Sequence, residues 1–342
     1  LRRRVGDSSL EGTAMKTLLT SLVIAQAVGW ALPTGSAADR EQTVVVVVGA
    51  AGAPEYAPEF ARWAGLWQQA CAKGSAGFIG IGLEDEGEYQ DRERIRTTLA
   101  AQSQQRTAPL WLVLIGHGTY DGKTARFNLR GPDVTASDLA EWLKPIEQPL
   151  AIVDSTASSA PFLKELSAPG RVVVTATKSG FEHNYARFGQ YLAEAIAQPQ
   201  ADLDKDGQTS LLEAWLTASH NVAAFYTANG RLATEHALLD DNGDGLGTPA
   251  EWFRGIRPIQ KARDDTTLDG YRAHQFHLVP SATETAMPPE LRARRDRLEL
   301  QILELRDAKG QFSETEYYGK LELLLREIAK VYEQAEASSV TR

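Results

Sequence analysis

Two short acidic stretches carry the densest potential chemistry in the chain. The first, DLDKDGQTSLLE, sets Asp202, Asp204, Asp206, Ser210 and Glu213 at positions 1, 3, 5, 9 and 12 of a twelve-residue segment, with Gly207 at position 6 and Gln208 at position 7. The second, DDNGDGLGTPAE, repeats the arrangement with Asp240, Asn242, Asp244, Thr248 and Glu251, Gly245 at position 6 and Leu246 at position 7. Every side-chain position offers an oxygen donor, and Gln208 and Leu246 add backbone carbonyls. An all-oxygen set on a flexible loop suits a hard divalent cation; His and Cys would be expected for a softer metal. The glycine allows the sharp backbone turn that position 6 requires. Two complete copies argue against Asx-rich surface turns that arose by chance.

This spacing is that of the EF-hand calcium loop, so Ca2+ is the expected ligand. Pro199 interrupts the segment entering the first loop, which favours EF-like loops over full helix-loop-helix hands. Extracellular sites of this class bind at about 10⁻⁴ to 10⁻³ M and serve as structural clips.

A second place for chemistry is LWLVLIGHG, residues 110–118, an apolar run closed by Gly116, His117 and Gly118. It reads as a buried parallel strand whose carboxyl end delivers His117 to the crevice where α/β sheets bind ligands. Around it, TVVVVV (Thr43 to Val48), Phe78 to Gly82, Leu150 to Val153 and Arg171 to Thr177 read as further strands. Helices are expected at Pro58 to Lys73, Asp91 to Ala101, Thr135 to Leu143 with an Asp138 capping box, and Phe188 to Ala197. Strands alternating with helices give an α/β fold with a mostly parallel sheet covered on both faces. The lone Cys71 rules out an internal disulfide framework and falls in a helical stripe with Phe60, Trp63 and Trp67, a core position.

LVLIGHG followed by LAIVDSTASSAPF resembles the legumain and caspase-like superfamily of cysteine peptidases (clan CD) over residues 42–198. The resemblance implies a His-Gly strand end at His117-Gly118 and, on the next strand, a nucleophile at Thr156, or at Ser155 with a one-residue slip. The family nucleophile is a cysteine, and here it is replaced. A Thr or Ser hydroxyl needs a stronger local base than a thiol does, and none is evident. The resemblance therefore favours a degenerate, non-catalytic binding or scaffold module; a hydrolase using His117 with Thr156, Ser155 or Ser158 stays open. Mixed charge from Lys178, Glu182, His183 and Arg187 indicates no substrate preference.

The remaining segments set the context. Residues 1–14 read as an upstream translation artefact. Residues 15–38, from Met15-Lys16 through an apolar stretch to Ser36-Ala37-Ala38, have the anatomy of a signal peptide and imply secretion or a periplasmic location. The apolar stretch is shorter than a comfortable membrane span, favouring cleavage over retention as an anchor, with no membrane association afterwards. Residues 42–200 form the α/β domain, 201–285 the calcium-loop region, and 288–336 a C-terminal helical hairpin. Its seams are Leu291, Leu298, Ile302 and Leu305 on one helix, and Tyr317, Leu321, Leu324, Ile328 and Val331 on the other. With 45 acidic against 36 basic residues and a net charge of −9, the chain lacks the footprint of a nucleic-acid binder. A protein or peptide partner has two surfaces to dock on: the crevice at the sheet edge and the terminal hairpin.

Overall fold

The computed structural model describes residues 42–84, 90–105 and 107–340; the expected leader segments, 1–14 and 15–38, lie outside them. In chain order the elements are β1 (Thr43–Val48), α1 (Tyr56–Lys73), β2 (Gly77–Ile81), α2 (Asp91–Gln102) and β3 (Leu110–Ile115). A small antiparallel sheet follows, β4 (Gly118–Tyr120), β5 (Ala125–Phe127) and β6 (Val134–Thr135), and then α3 (Ala136–Leu143), β7 (Leu150–Asp154), α4 (Ala160–Leu166), β8 (Arg171–Thr175) and α5 (Phe188–Ala195). The chain continues through α6 (Leu211–Ala228), β9 (Leu238–Asp240), β10 (Thr248–Pro249) and a short hairpin of β11 (Phe253–Arg254) and β12 (Arg257–Pro258). It ends in α7 (Ala282–Ala286), α8 (Pro289–Asp307) and α9 (Glu314–Val340).

The main sheet runs β10-β9-β8-β7-β3-β1-β2. Its five strands from β8 to β2 are parallel, and β9 and β10 extend it antiparallel. Side chains along each central strand alternate between two cores. Val44, Val46, Trp111, Val113 and Val153 face α1, α5 and α6; Val45, Val47, Leu112, Leu114 and Ile152 face α2, α3 and α4. Burial on both faces explains why TVVVVV and LWLVLI are apolar throughout. Each such side chain contributes about 1.5–3 kcal/mol of hydrophobic stabilisation.

The expected α/β architecture is present, with adjustments at element ends. Helix α1 starts at Tyr56, so Pro58 lies in the first turn, where its missing N–H has no intrahelical partner to lose. β8 stops at Thr175 and α5 at Ala195, each two residues before the expected end. Cys71 is buried on α1, and burial pushes its thiol up to about 12. Residues of the segment 201–285, expected to be a separate calcium-loop region, join the α/β core: α6 packs on the sheet, and β9 and β10 lengthen it. In the C-terminal hairpin, Ser313 and Glu316 cap α9 reciprocally, and Tyr317 and Val331 are buried. Gln275 ties α8 to the body through the Asp296 carbonyl at 2.8 Å. No helix of the described residues is long and apolar enough to cross a membrane.

Candidate functional sites: two acidic loops and a strand-end crevice

The first loop leaves a 3-10 turn at Pro199–Ala201 and runs into α6. Asp202 at position 1 accepts the N–H of Lys205 at 2.7 Å and of Gly207 at 3.2 Å. Asp204 accepts from Asp206 N–H at 3.2 Å, and Asp206 from Gln208 N–H at 3.0 Å. Lys205 and Gly207 both take positive φ, 66° and 90°, the turn the motif needs. Ser210 is the N-cap of α6 and forms a capping box with Glu213. Because that cap starts a helix, Glu213 folds back to the loop. Its Oε1 accepts from Leu203 N–H at 2.7 Å and Asp204 N–H at 3.2 Å, while Oε2 accepts the Ser210 hydroxyl at 2.8 Å. Carboxylate oxygens of Asp202, Asp204 and Asp206 lie within 4.8 Å of one another, and Asp204 and Glu213 group in the same way with His274. His274 Nε2 donates to Asp204 at 3.0 Å.

The second loop joins β9 to β10 and repeats the pattern bond for bond. Asp240 accepts the N–H of Gly243 and of Gly245, both at 2.9 Å; Asn242 accepts from Asp244 at 2.8 Å, and Asp244 from Leu246 at 2.7 Å. Gly243 and Gly245 take positive φ, 80° and 73°, as Lys205 and Gly207 do. Beyond position 9 the loops part. Thr248 opens β10 instead of capping a helix, so Glu251 falls in a 3-10 turn at Ala250–Trp252, exposed and making no side-chain hydrogen bond among the described residues. Asp240 and its neighbours Asp241 and Asp269 are each no more than 2% exposed. Burial raises all three carboxyls above their ordinary range, and the charge of Asp241 raises Asp269 further. Asp244 Oδ2 is buried without a hydrogen-bond partner.

An all-oxygen donor set fits calcium, and an orphaned buried carboxylate oxygen in the second loop fits it too. Asp202, Asp204, Asp206 and Glu213, with Ser210 and the Gln208 carbonyl, would hold an ion in the first loop. In the second, Asp240, Asn242 and Asp244, with the Leu246 carbonyl, are the matching residues.

At the strand-end crevice, β3 and β7 are parallel neighbours. His117 and Thr156 therefore leave the same sheet edge. The strand ends come so close that a Cβ on Gly118 would lie 2.6 Å from Thr156 Oγ1 and 2.2 Å from the Ala157 carbonyl oxygen, a contact only glycine permits. His117 is not joined to either expected nucleophile. Its Nε2 donates to the Ala51 carbonyl at 2.9 Å, and its ring packs edge-on against Tyr56 and Phe60. The Ser155 hydroxyl donates to the Leu114 carbonyl at 2.6 Å, and the Thr156 hydroxyl to Asp154 Oδ1 at 2.6 Å; both residues are buried.

Sequence reasoning missed two residues, Asp154 and Asp269, and the pairing of Ser158, already a candidate, with His183. Asp154 is fully buried with Oδ2 unpartnered; burial pushes its carboxyl up to about 7, against two hydrogen bonds from Thr156. Ser158, at φ 57°, lies 3.0 Å from His183 Nδ1. Asp269 is the second missed residue, and no local spacing links it to the loop it touches. A carboxylate at the end of an apolar strand was the available signal for Asp154; the Ser158 to His183 pairing had none.

No family model matches the chain, and no curated protein matches it. Among solved structures it is similar to the Drosophila initiator caspase Dronc, at 12% identity and a TM-score of 0.41, covering 61% of this chain and 81% of that one. It is also similar to caspase-1 from Spodoptera frugiperda, at 8% identity and a TM-score of 0.39, covering 59% and 86%. A third, Raptor from Chaetomium thermophilum, gives 9% identity and a TM-score of 0.32 over 46% of this chain and 18% of that one.

Proposed function

We propose that the chain is an exported, calcium-stiffened binding or scaffold module, built on a peptidase-like α/β domain whose strand-end site is degenerate and does not catalyse. The observation that carries the calcium half is the repetition of one hydrogen-bond pattern in two loops with unlike surroundings, each presenting only oxygens. The non-catalytic half rests on the hydroxyls. Ser155 and Thr156 are buried and donate away from His117, which itself donates to a backbone carbonyl. A nucleophile needs its base within hydrogen-bond reach. Export rests on the Met15 to Ala38 segment alone.

The test has two arms. Calcium added to the chelator-treated protein is expected to raise its melting temperature, and Asp206→Ala with Asp244→Ala to remove that rise; no calcium effect on the wild type would sink the reading. A fluorophosphonate probe is expected to leave the protein unlabelled, and labelling lost in His117→Ala overturns the non-catalytic half.

A hydrolase reading finds support at a different hydroxyl. Ser158 combines a strained backbone with a 3.0 Å contact to His183. Labelling lost in Ser158→Ala and His183→Ala, but retained in His117→Ala, would establish it.

A further inference from the structure

The two loops satisfy the same three donors, but with carboxylates from different parts of the chain. In the first loop Glu213 accepts the N–H groups of positions 2 and 3 on one oxygen and the position-9 hydroxyl on the other. In the second loop Asp269 does the same. Its Oδ1 accepts from Asp241 N–H at 2.9 Å and Asn242 N–H at 3.2 Å, and its Oδ2 accepts the Thr248 hydroxyl at 2.5 Å. Asp269 is 21 residues beyond Thr248, outside the twelve-residue segment altogether. Glu251, at the twelfth position in sequence, lines a cavity with His220, Glu235 and His236, none of which belongs to the loop.

We infer that Asp269 supplies the closing carboxylate of the second calcium loop in place of Glu251. The inference rests on the calcium reading above and names the ligand that completes it. Local structure gives the reason for the exchange. A shorter Asp side chain delivered by a neighbouring segment replaces a Glu returned by a helix, because β10 carries the chain away from the loop where α6 brings it back.

Two observations besides the hydrogen bonds point to a cation. Asp244 is half-buried, and its Oδ2 atom is shielded in this loop with no hydrogen-bond partner among the described residues. In addition, Asp240, Asp241 and Asp269 are buried together; the charge of Arg272 acts on Asp241, and among the described residues none of the three forms a direct ion pair. Carboxylates crowded in a dry site cost free energy that a divalent ion offsets. Asp241 is the positioning residue: its carboxylate accepts Gly270 N–H at 2.9 Å and Ala273 N–H at 2.8 Å, clamping the segment that bears Asp269 against the loop.

Calorimetric titration of the full chain with calcium chloride tests the assignment, using wild type, Asp269→Asn, Glu251→Gln and Glu213→Gln. Wild type is expected to take up two ions. Asp269→Asn should weaken one site at least about tenfold and spare the other, whereas Glu251→Gln should leave both within about twofold. Glu213→Gln should weaken the site that Asp269→Asn spares. Two sites that persist in Asp269→Asn, or one lost in Glu251→Gln, overturn the inference while leaving the calcium reading intact. A wild type that takes up no calcium overturns both. Glu251 is exposed, so its variant is expected to fold; if circular dichroism finds Asp269→Asn unfolded, Asp269→Glu, which keeps the carboxylate, is expected to retain two sites, and a site lost in Glu251→Gln still overturns the inference.

Discussion

The acidic loops and the strand-end crevice lie in one α/β body, but their polar groups are left in opposite states. At the second loop, three buried carboxylates form no direct ion pair among the described residues and a fourth carries an orphaned oxygen. In the crevice, the hydroxyls of Ser155 and Thr156 are already donated to a carbonyl and a carboxylate of the same chain. Buried charge without a counter-charge marks a place that a ligand completes; hydroxyls satisfied from within mark a place already closed. On the proposed reading this contrast assigns ligand chemistry to the loops, while the crevice hydroxyls are held by acceptors of the same chain.

The largest effect that sharpens the contrast is calcium itself. At about 10 mM calcium and dissociation constants of about 10⁻⁴ to 10⁻³ M, linkage gives roughly 3–5 kcal/mol of added stability from two sites. Denaturant unfolding with and without chelator measures it, and equal curves would break the comparison at its stronger end.

Next in size is Glu213→Ala in chelator. Glu213 is buried and accepts from Leu203, Asp204 and Ser210 while capping α6. Its loss leaves orphaned donors and removes one half of the α6 capping box, Ser210 remaining as N-cap, a cost of about 2–4 kcal/mol without any metal present. A loss well under 1 kcal/mol would show that the first loop is held by something other than this carboxylate.

The crevice has one group that resembles the loops. Asp154 is buried and titrates at about 7 instead of its ordinary 3.8, because burial disfavours its charge. The folded state then holds a proton that the unfolded state releases. Its contribution is fully present below about pH 4 and is lost as pH rises through about 7. Asp154→Asn is expected to flatten that part of the stability profile, by roughly 4 kcal/mol at most across the window. Denaturation midpoints of both proteins at successive pH values check it, and parallel profiles would mean that Asp154 stays charged.

Much of this was legible in the sequence. TVVVVV and LWLVLIGHG declare two-faced burial by being apolar throughout, and the twelve-residue spacing places both acidic loops. Other features depend on distant contacts. β9 and β10 are three and two residues long, hold Asp240 and Pro249, and become strands only against β8. Asp269 sits alone in a stretch without periodicity, and only the tertiary clamp through Asp241 brings it to its loop. The pairing of His117 with Thr156 was implied by a resemblance of strand ends, which fixes where backbones meet and not where hydroxyls point.

The smallest effect is Thr156→Val. If the hydroxyl only bonds to Asp154, its removal costs about 1 kcal/mol, close to an ordinary intramolecular hydrogen bond. Thermal unfolding measures that cost, and fluorophosphonate labelling in the same preparations measures chemistry. The hydroxyl is buried, and its donor is spent on Asp154 Oδ1 at 2.6 Å. His117 would have to break its bond to the Ala51 carbonyl before it could act as base toward Thr156. The variant should therefore shift stability slightly and leave labelling unchanged. The reverse pattern, unchanged stability with labelling abolished, would mean that the crevice opens in solution and that its hydroxyl reacts.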